Sequence, residues 1–241
     1  MTTLLNFLCE SLGENGVVAT RMISVPATRF IIAGWTGRDS AAIEHHIEEL
    51  AALGVPRPSS VPLYYRASSA LLSQASSIEV VGEESSGEAE PVLFFTQGEW
   101  WLTVGSDHTD RKVESYSVAV SKQMCMKPIA TTAWRWADVV AWQDEIALES
   151  RIFEGGQWVP YQKGKFASIR PLQSLLDGFF ARSAQAPQEG CFMSCGTLGA
   201  IPNAAGLAIR PAQAMELSIS APMFKRAIVH RYAVEALPVV A

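Results

Sequence analysis

Two β-forming runs, residues 88–96 and 100–107, flank the turn Gln97-Gly98-Glu99 and read as the strands of a hairpin. Residues two apart on a strand share a face, so Glu88 and Glu90 point the same way. Val92-Leu93-Phe94-Phe95 follows at once, which carries that strand into a core. Like charges side by side at a core edge are destabilising unless something neutralises them. A divalent cation does so, and a ligand set made of oxygen alone suits magnesium or manganese, with calcium also admissible. The bland alternative is that both glutamates flank a solvated strand start beside the Ser85-Ser86-Gly87 turn. Asp107 favours the metal, because it ends the second run in a stretch, Gly105 to Arg111, dense in polar groups after an apolar one. His108 is a further candidate ligand, though a lone histidine beside a carboxylate is more often hydrogen-bonded structure. Asp110 with Arg111 reads equally as part of the site or as a surface turn with an ion pair. Three carboxylates so gathered are expected to repel one another when no cation is bound.

The rest of the chain sets the class. Residues 17–25 and 29–35 are β-rich and are separated by Pro26. Gly37-Arg38-Asp39-Ser40 offers a turn and helix caps before a helix over 41–53, where Ile43, Ile47 and Leu50 recur at helical spacing and Gly54 with Pro56 ends it. A second helix follows Pro171, with the stripe Leu172, Leu175, Leu176, Phe179 and Phe180. Strands return at 191–196, 214–220 and 228–237. The pattern is α+β and β-dominated. It divides into N-terminal strands over 1–36 and a main domain over 37–241, or forms one continuous domain 1–241. At 241 residues and 49% hydrophobic, the chain can bury one large core. Its 19 basic residues against 24 acidic ones give no electrostatic case for nucleic acid or an anionic membrane as partner. Cys9, Cys125, Cys191 and Cys195 form no CxxC pair, so buried, reduced thiols are expected. The segment Met1 to Leu12 lacks a basic leader region and no apolar run approaches the ~18 residues of a membrane span, so a cytoplasmic protein is expected.

At the acidic residues the chain resembles the fumarylacetoacetate hydrolase superfamily. That family shows a Glu-x-Glu strand, then a strand ending in Asn-Asp-x-Ser-Ala-Arg-Asp-x-Gln. Here Glu88-Ala89-Glu90 matches the first motif, and Ser106-Asp107-His108-Thr109-Asp110-Arg111 the second, with Arg111 at the family's interval from Asp107. Downstream, Lys122, then Pro128 and Trp134, then a hairpin near Ile146 to Phe153, a Gln-x-Gly turn at Gln162-Lys163-Gly164, the helix at Leu172 and Phe192 to Thr197 fall in the family's order. Departures mark a divergent bacterial branch of unknown function. Ser106 stands for Asn, Glu114 for Gln, the interval between Glu90 and Asp107 leaves no room for a helix common in the family, and Arg210-Pro211-Ala212 replaces a Pro-Gly-Asp turn.

The resemblance implies a fumarylacetoacetate-hydrolase-like mixed β-sandwich roll and a homodimer. It also implies a magnesium or manganese ion on Glu88, Glu90 and Asp107, and a small keto acid as substrate. Smaller members carry a His-x-x-Glu pair that activates water, after a Gly-Arg-Asn-Tyr run. Here Gly37-Arg38-Asp39 precedes two such pairs, His45 with Glu48 and His46 with Glu49. On a helical wheel His46 borders the apolar stripe, which favours His46 as general base and Glu49 as its orienting partner. Lys122 is the expected electrostatic partner of the substrate oxyanion, with Lys127 its rival. Arg111, Glu114, Gly196 and Thr197 are the expected substrate contacts. The implied reaction is hydrolysis of a carbon–carbon bond in a 2-oxo or β-diketo acid. Decarboxylation, tautomerisation or dehydration of a related keto acid is the close alternative, and a non-catalytic binding protein that keeps the fold is an alternative of another class.

Overall fold

Burial along the first ten-residue strand alternates strictly in its middle: Leu5, Phe7 and Cys9 point inward, while Leu4, Asn6 and Leu8 face out. That period of two is what a sheet with one covered face requires. The computed structural model describes residues 2–13, 17–52 and 57–240, and of helix residues 46 and 49–52 the backbone alone. In chain order the elements are β1 (Thr3–Leu12), β2 (Val18–Ala27), β3 (Arg29–Gly34), α1 (Ser40–Ala52), β4 (Leu63–Ala67), β5 (Leu72–Ser73), β6 (Ser77–Val81), β7 (Ser85–Ser86), β8 (Ala89–Thr96), β9 (Glu99–Ser106), β10 (Thr109–Asp110), α2 (Arg111–Tyr116), α3 (Val118–Met124), β11 (Lys127–Pro128), β12 (Thr132–Arg135), α4 (Trp136–Val139), β13 (Ala147–Glu154), β14 (Gln157–Lys165), α5 (Leu172–Ser183), β15 (Cys191–Ser194), β16 (Ala214–Ala221) and β17 (Arg226–Leu237).

Eight strands form one mixed sheet in the order β2-β1-β12-β9-β8-β15-β3-β4, in which β1 with β12 and β15 with β3 are the parallel pairs. Five more form a second sheet, β14-β13-β16-β17-β6. The first sheet is strongly curled. Four strand spacings separate β1 from β15, roughly 19 Å in a flat sheet. Yet the rings of Phe7 on β1 and Phe192 on β15 are 6.2 Å apart, with Phe94 of β8 stacked on Phe7 at 4.3 Å. One core fills the inside of this roll around Phe7, Phe30, Phe94, Trp101 and Phe192. A second core lies between the two sheets and α5, where Leu93, Leu102, Leu148, Leu217 and Leu175 meet. The hairpin β8–β9 belongs to both, so neither of its faces is solvated over most of its length. The architecture is the expected β-dominated α+β sandwich roll. Strands β1 to β3 share a sheet with β8, β9, β12 and β15.

One strand carried no sequence signal of its own, and one local expectation is corrected. Residues 3–12 form a full strand where the sequence showed only mild apolarity, because that strand is paired along its whole length with β2. Gln162-Lys163-Gly164 is not a turn but the body of β14, paired with β13. Gly164 answers a packing need instead, since a Cβ there would press on Leu198 at 2.8 Å. The four cysteines are free and buried. Among the described residues no helix is long and apolar enough to cross a membrane.

A candidate metal centre at the open end of the hairpin

The register of β8 on β9 pairs Ala89 with Ser106 and Glu90 with Gly105. One more step, the 3.0 Å bond from the Asp107 amide to the Glu88 carbonyl, sets Glu88 opposite Asp107. Opposed residues share a face, as do residues two apart. All three carboxylates therefore converge, and one oxygen from each lies within 4.8 Å of the other two. Gly87 makes the approach to this hairpin possible: a Cβ there would fall 2.3 Å from the Tyr232 hydroxyl and 2.4 Å from the Met215 sulfur.

Glu90 is 3% exposed. Its Oε2 accepts a bond from the Ser194 hydroxyl and one of 3.2 Å from the Gly196 amide. Burial first, then the negative charge of Asp107, pushes its pKa from 4.5 to about 8, against the pull of Ser194. Gly196 can present its amide there because it has φ +96°, and a side chain would strike the Thr36 hydroxyl at 1.6 Å.

Asp107 is 2% exposed but differently held. Lys122 reaches its Oδ2 at 2.5 Å and Lys127 its Oδ1 at 2.8 Å, while Lys127 also donates to the His108 carbonyl. Burial alone would raise the Asp107 pKa, but the two ammonium groups outweigh it and hold the acid below the usual carboxylate range. Burial likewise opposes the Lys122 charge, yet Asp107 and Glu88 keep its pKa above the usual lysine range.

Arg111 turns inward rather than forming a surface ion pair with its neighbour. It pairs with Glu88 at 3.2 Å and Glu114 at 2.7 Å, and its Nε donates to the Ser86 hydroxyl at 2.7 Å. Asp110 instead caps α2, accepting from the Val113 amide at 2.9 Å. His108 is buried, with one ring nitrogen 2.9 Å from the Tyr232 hydroxyl and the other 2.9 Å from that of Ser85. Burial, helped by Lys127 and Arg111, lowers its pKa to about 3, so it is a neutral structural residue. Thr197 donates to the Ala89 carbonyl at 2.9 Å and accepts from Gln162 at 2.7 Å. Gln162 in turn accepts from the Ala89 amide at 2.8 Å, so it ties the loop after β15 to the start of β8.

The three acids open into a cavity of about 640 Å³. Arg111, Glu114 and Lys122 line one side, and the segment Gly34 to Gly37 with Gly196 and Thr197 lines another. The donor set fits a hard divalent ion: three carboxylates in contact range, one of them buried without a cation of its own. The lysines do not exhaust Asp107, since each carboxylate oxygen keeps a second lone pair.

Residues 33–232 match the family described as "Protein of unknown function (DUF2848)". The chain belongs to that family. No curated protein matches it in sequence. Its fold is that of fumarylacetoacetate-hydrolase-like proteins. A 2-keto-3-deoxyarabinonate dehydratase is similar over 98% of this chain and 99% of its own, with 11% identity and a TM-score of 0.63. A 2-keto-3-deoxy-D-arabinonate dehydratase complexed with magnesium and 2,5-dioxopentanoate covers 95% of this chain and 79% of its own, at 14% identity and TM-score 0.58. A protein assigned as a fumarylpyruvate hydrolase, from Burkholderia cenocepacia, covers 90% of this chain and 88% of its own, at 15% identity and TM-score 0.59.

In this DUF2848 chain the geometry gathers Glu88, Glu90, Asp107, Arg111, Glu114, Lys122, Gly196 and Thr197 around one cavity. Lys127 is not on its lining, yet it bonds the same aspartate as Lys122. The side chains of His46 and Glu49 lie outside the described residues. The rival pair, His45 and Glu48, is exposed and does not line the cavity. Ser194, Gln162, Trp35 and Tyr65 were not marked as site residues by the sequence. Only Gln162 carried a signal there, as the Gln of the supposed turn.

Proposed function

We propose that this protein is a divalent-metal-dependent enzyme acting on a small 2-oxo or β-diketo acid, and that it hydrolyses a carbon–carbon bond. The observation that carries the reading is the convergence of Glu88, Glu90 and Asp107, the last two buried, on one cavity, with Lys122 bonded to Asp107 on its lining. These three carboxylates hold magnesium or manganese in the proposal, and calcium fits the same oxygen donors. Bound there, the ion supplies Lewis acidity to the carboxylate and keto oxygens of the substrate. That the dehydratase of the same fold is complexed with magnesium and a dioxo acid supports both halves of the reading.

The chain's own groups do the rest. His46, oriented by Glu49 on α1, takes a proton from water, which attacks the distal carbonyl. The carbon–carbon bond then breaks, and its electron pair leaves with the 2-oxo acid fragment as an enolate. Lys122 balances the charge on the enolate oxygen, and His46 returns its proton to that fragment's carbon. Arg111 and Glu114 shape the polar side, and Gly196 and Thr197 meet the substrate from the loop after β15. The same charge-stabilising arrangement serves decarboxylation, tautomerisation or dehydration of a related keto acid. A cytoplasmic homodimer completes the proposal.

A second reading rests on one observation. Lys122 and Lys127 already neutralise Asp107, so the fold could hold the cluster as a structural ion network in a binding protein without chemistry. Chelator-treated protein reloaded with magnesium or manganese separates the two. The enzyme reading expects a metal-dependent rise in melting temperature and metal-dependent turnover in a panel of 2-oxo and β-diketo acids. Absence of both sinks it and leaves the binding protein.

A further inference from the structure

We infer that the cavity takes a 2-oxo acid with a single carboxylate and an apolar tail, and discriminates against acids with a second, distal carboxylate; this rests on the keto-acid reading above. The first ground is an account of the cations. The chain has 19 lysines and arginines, all among the described residues, and two of them line the cavity, Arg111 and Lys122. Both are engaged at the carboxylate end of the cavity, where they serve the keto end of the substrate rather than a distal carboxylate. Arg111 is held by Glu88, Glu114 and Ser86. Lys122 is held by Asp107 at 2.5 Å, with Glu114 at 3.6 Å.

The second ground is the charge balance. Glu88, Glu90, Asp107 and Glu114 bring four negative charges, and Arg111, Lys122 and Lys127 three positive ones. A divalent ion leaves the site with one positive charge in excess. One substrate carboxylate neutralises it, and a second would sit in a partly buried cavity without a counter-charge, which is costly.

The third ground is the apolar part of the cavity wall. Ile32, Trp35, Tyr65, Val118 and Ile209 line it, and of these Val118 and Ile209 are 37% and 51% exposed at the rim. Trp35 follows the last residue of β3 with φ +58°, a left-handed conformation that a bulky side chain adopts only against strain. Its side chain hydrogen-bonds Tyr65. The strained backbone and this bond fix an aromatic surface beside the charged pocket, as an apolar tail requires.

The test is calorimetric titration of the manganese-loaded full chain with 2-oxohexanoate and 2-oxoadipate. The two have equal chain length and differ in a terminal methyl against a terminal carboxylate. The monoacid should bind about tenfold tighter or more, as expected for one uncompensated charge. Ile209→Arg, which places a cation at the rim, should bring the two acids to about parity, and Val118→Arg serves the same purpose should that variant not fold. A diacid that binds as tightly as the monoacid to the wild type, in a metal-dependent way, overturns this specificity and leaves the keto-acid reading standing. A preference that neither arginine changes overturns the placement of the tail on that wall. If neither acid binds, or both bind equally after chelation, the keto-acid reading itself falls and takes this inference with it.

Discussion

Glu90 and Asp107 sit on the same face of one hairpin, are 3% and 2% exposed, and belong to one cluster of carboxylates. Their environments are nevertheless opposite. Asp107 directly follows β9, where α3 and β11 each deliver a lysine to it. Glu90 faces β15 and the loop beyond, which deliver a hydroxyl and an amide but no cation. The result is one acid held below the usual range and one pushed up to about 8. The difference locates the charge deficit of the site on Glu90's side. It also corrects the expectation that three gathered carboxylates simply repel one another: this holds for Glu90, whereas removing the Asp107 charge would strand two buried ammonium groups.

The largest effect should come from breaking the well-paired side. Lys127 is 1% exposed, and Lys127→Met leaves Asp107 with one cation and the His108 carbonyl without its donor. Loss of one partner of a buried pair typically costs about 3–5 kcal/mol. Urea unfolding of chelator-treated protein should show a loss of this order, while Glu90→Gln should be neutral or stabilising in the same assay. If Glu90→Gln is the more damaging of the two, the comparison is inverted and Glu90 is the better-compensated acid. Next in size is the metal itself. A hundredfold excess of magnesium or manganese over its dissociation constant should stabilise the wild type by about 2.7 kcal/mol, by mass action on the folded state. Asp107→Asn and Glu90→Gln should both weaken that response, but Asp107→Asn should in addition lower the metal-free stability.

The two acids also make opposite demands on pH. A carboxylate whose folded pKa is raised stabilises the protein below its ordinary pKa and loses that contribution as pH rises through the folded value. For Glu90 the loss runs from about 4.5 to about 8. Asp107, with its pKa depressed, contributes above its ordinary 3.8 and loses the contribution as the pH falls below it. Metal-free protein should therefore be most stable at mildly acid pH and weaken toward pH 8. The metal-dependent gain should grow over the same interval, because binding releases the Glu90 proton. A metal-free stability that is flat from about pH 5 to about pH 8 contradicts the account of Glu90.

Much of the fold was legible because its signals are local. The apolar β-forming runs of the hairpin, the stripe of α5 and the motif residues Glu88, Glu90, Asp107 and Arg111 can be read from neighbours in sequence. What could not be read depends on long-range pairing. β1 becomes a strand because β2 and β12 pair with it. Gln162 reads as a turn residue until β13 is seen beside it and its amide is found bridging Ala89 and Leu198. The choice between Lys122 and Lys127 looked exclusive in sequence. The structure shows both on Asp107, one oxygen each, because α3 and β11 approach the same strand end from two directions. Ser194 had no signal at all, since nothing in Phe192-Met193-Ser194 tells that its hydroxyl meets a glutamate 104 residues away.

That serine gives the smallest expected effect and the finest test of the comparison. Ser194 is 2% exposed, and its hydroxyl is one of two donors to Glu90 Oε2, the other being the Gly196 amide. Its bond favours the charged form of Glu90 and works against burial. Ser194→Ala removes that donor and adds no charge and almost no volume. Glu90 should then hold its proton to higher pH, so a metal ion must displace the proton at greater cost. A hydrogen bond to a charged group is worth roughly 1.5–3 kcal/mol, so metal affinity at neutral pH should fall about tenfold or more. The loss should shrink as the pH rises above the new Glu90 pKa, where no proton remains to compete. Metal-free stability at mildly acid pH should barely change, because there Glu90 is already neutral in the wild type. Manganese titrations of both proteins across the pH range provide the check. An affinity loss that is the same at every pH would mean that Ser194 shapes the site rather than tuning the acid, and burial and the Asp107 charge would then set the Glu90 proton without a counter-pull from Ser194.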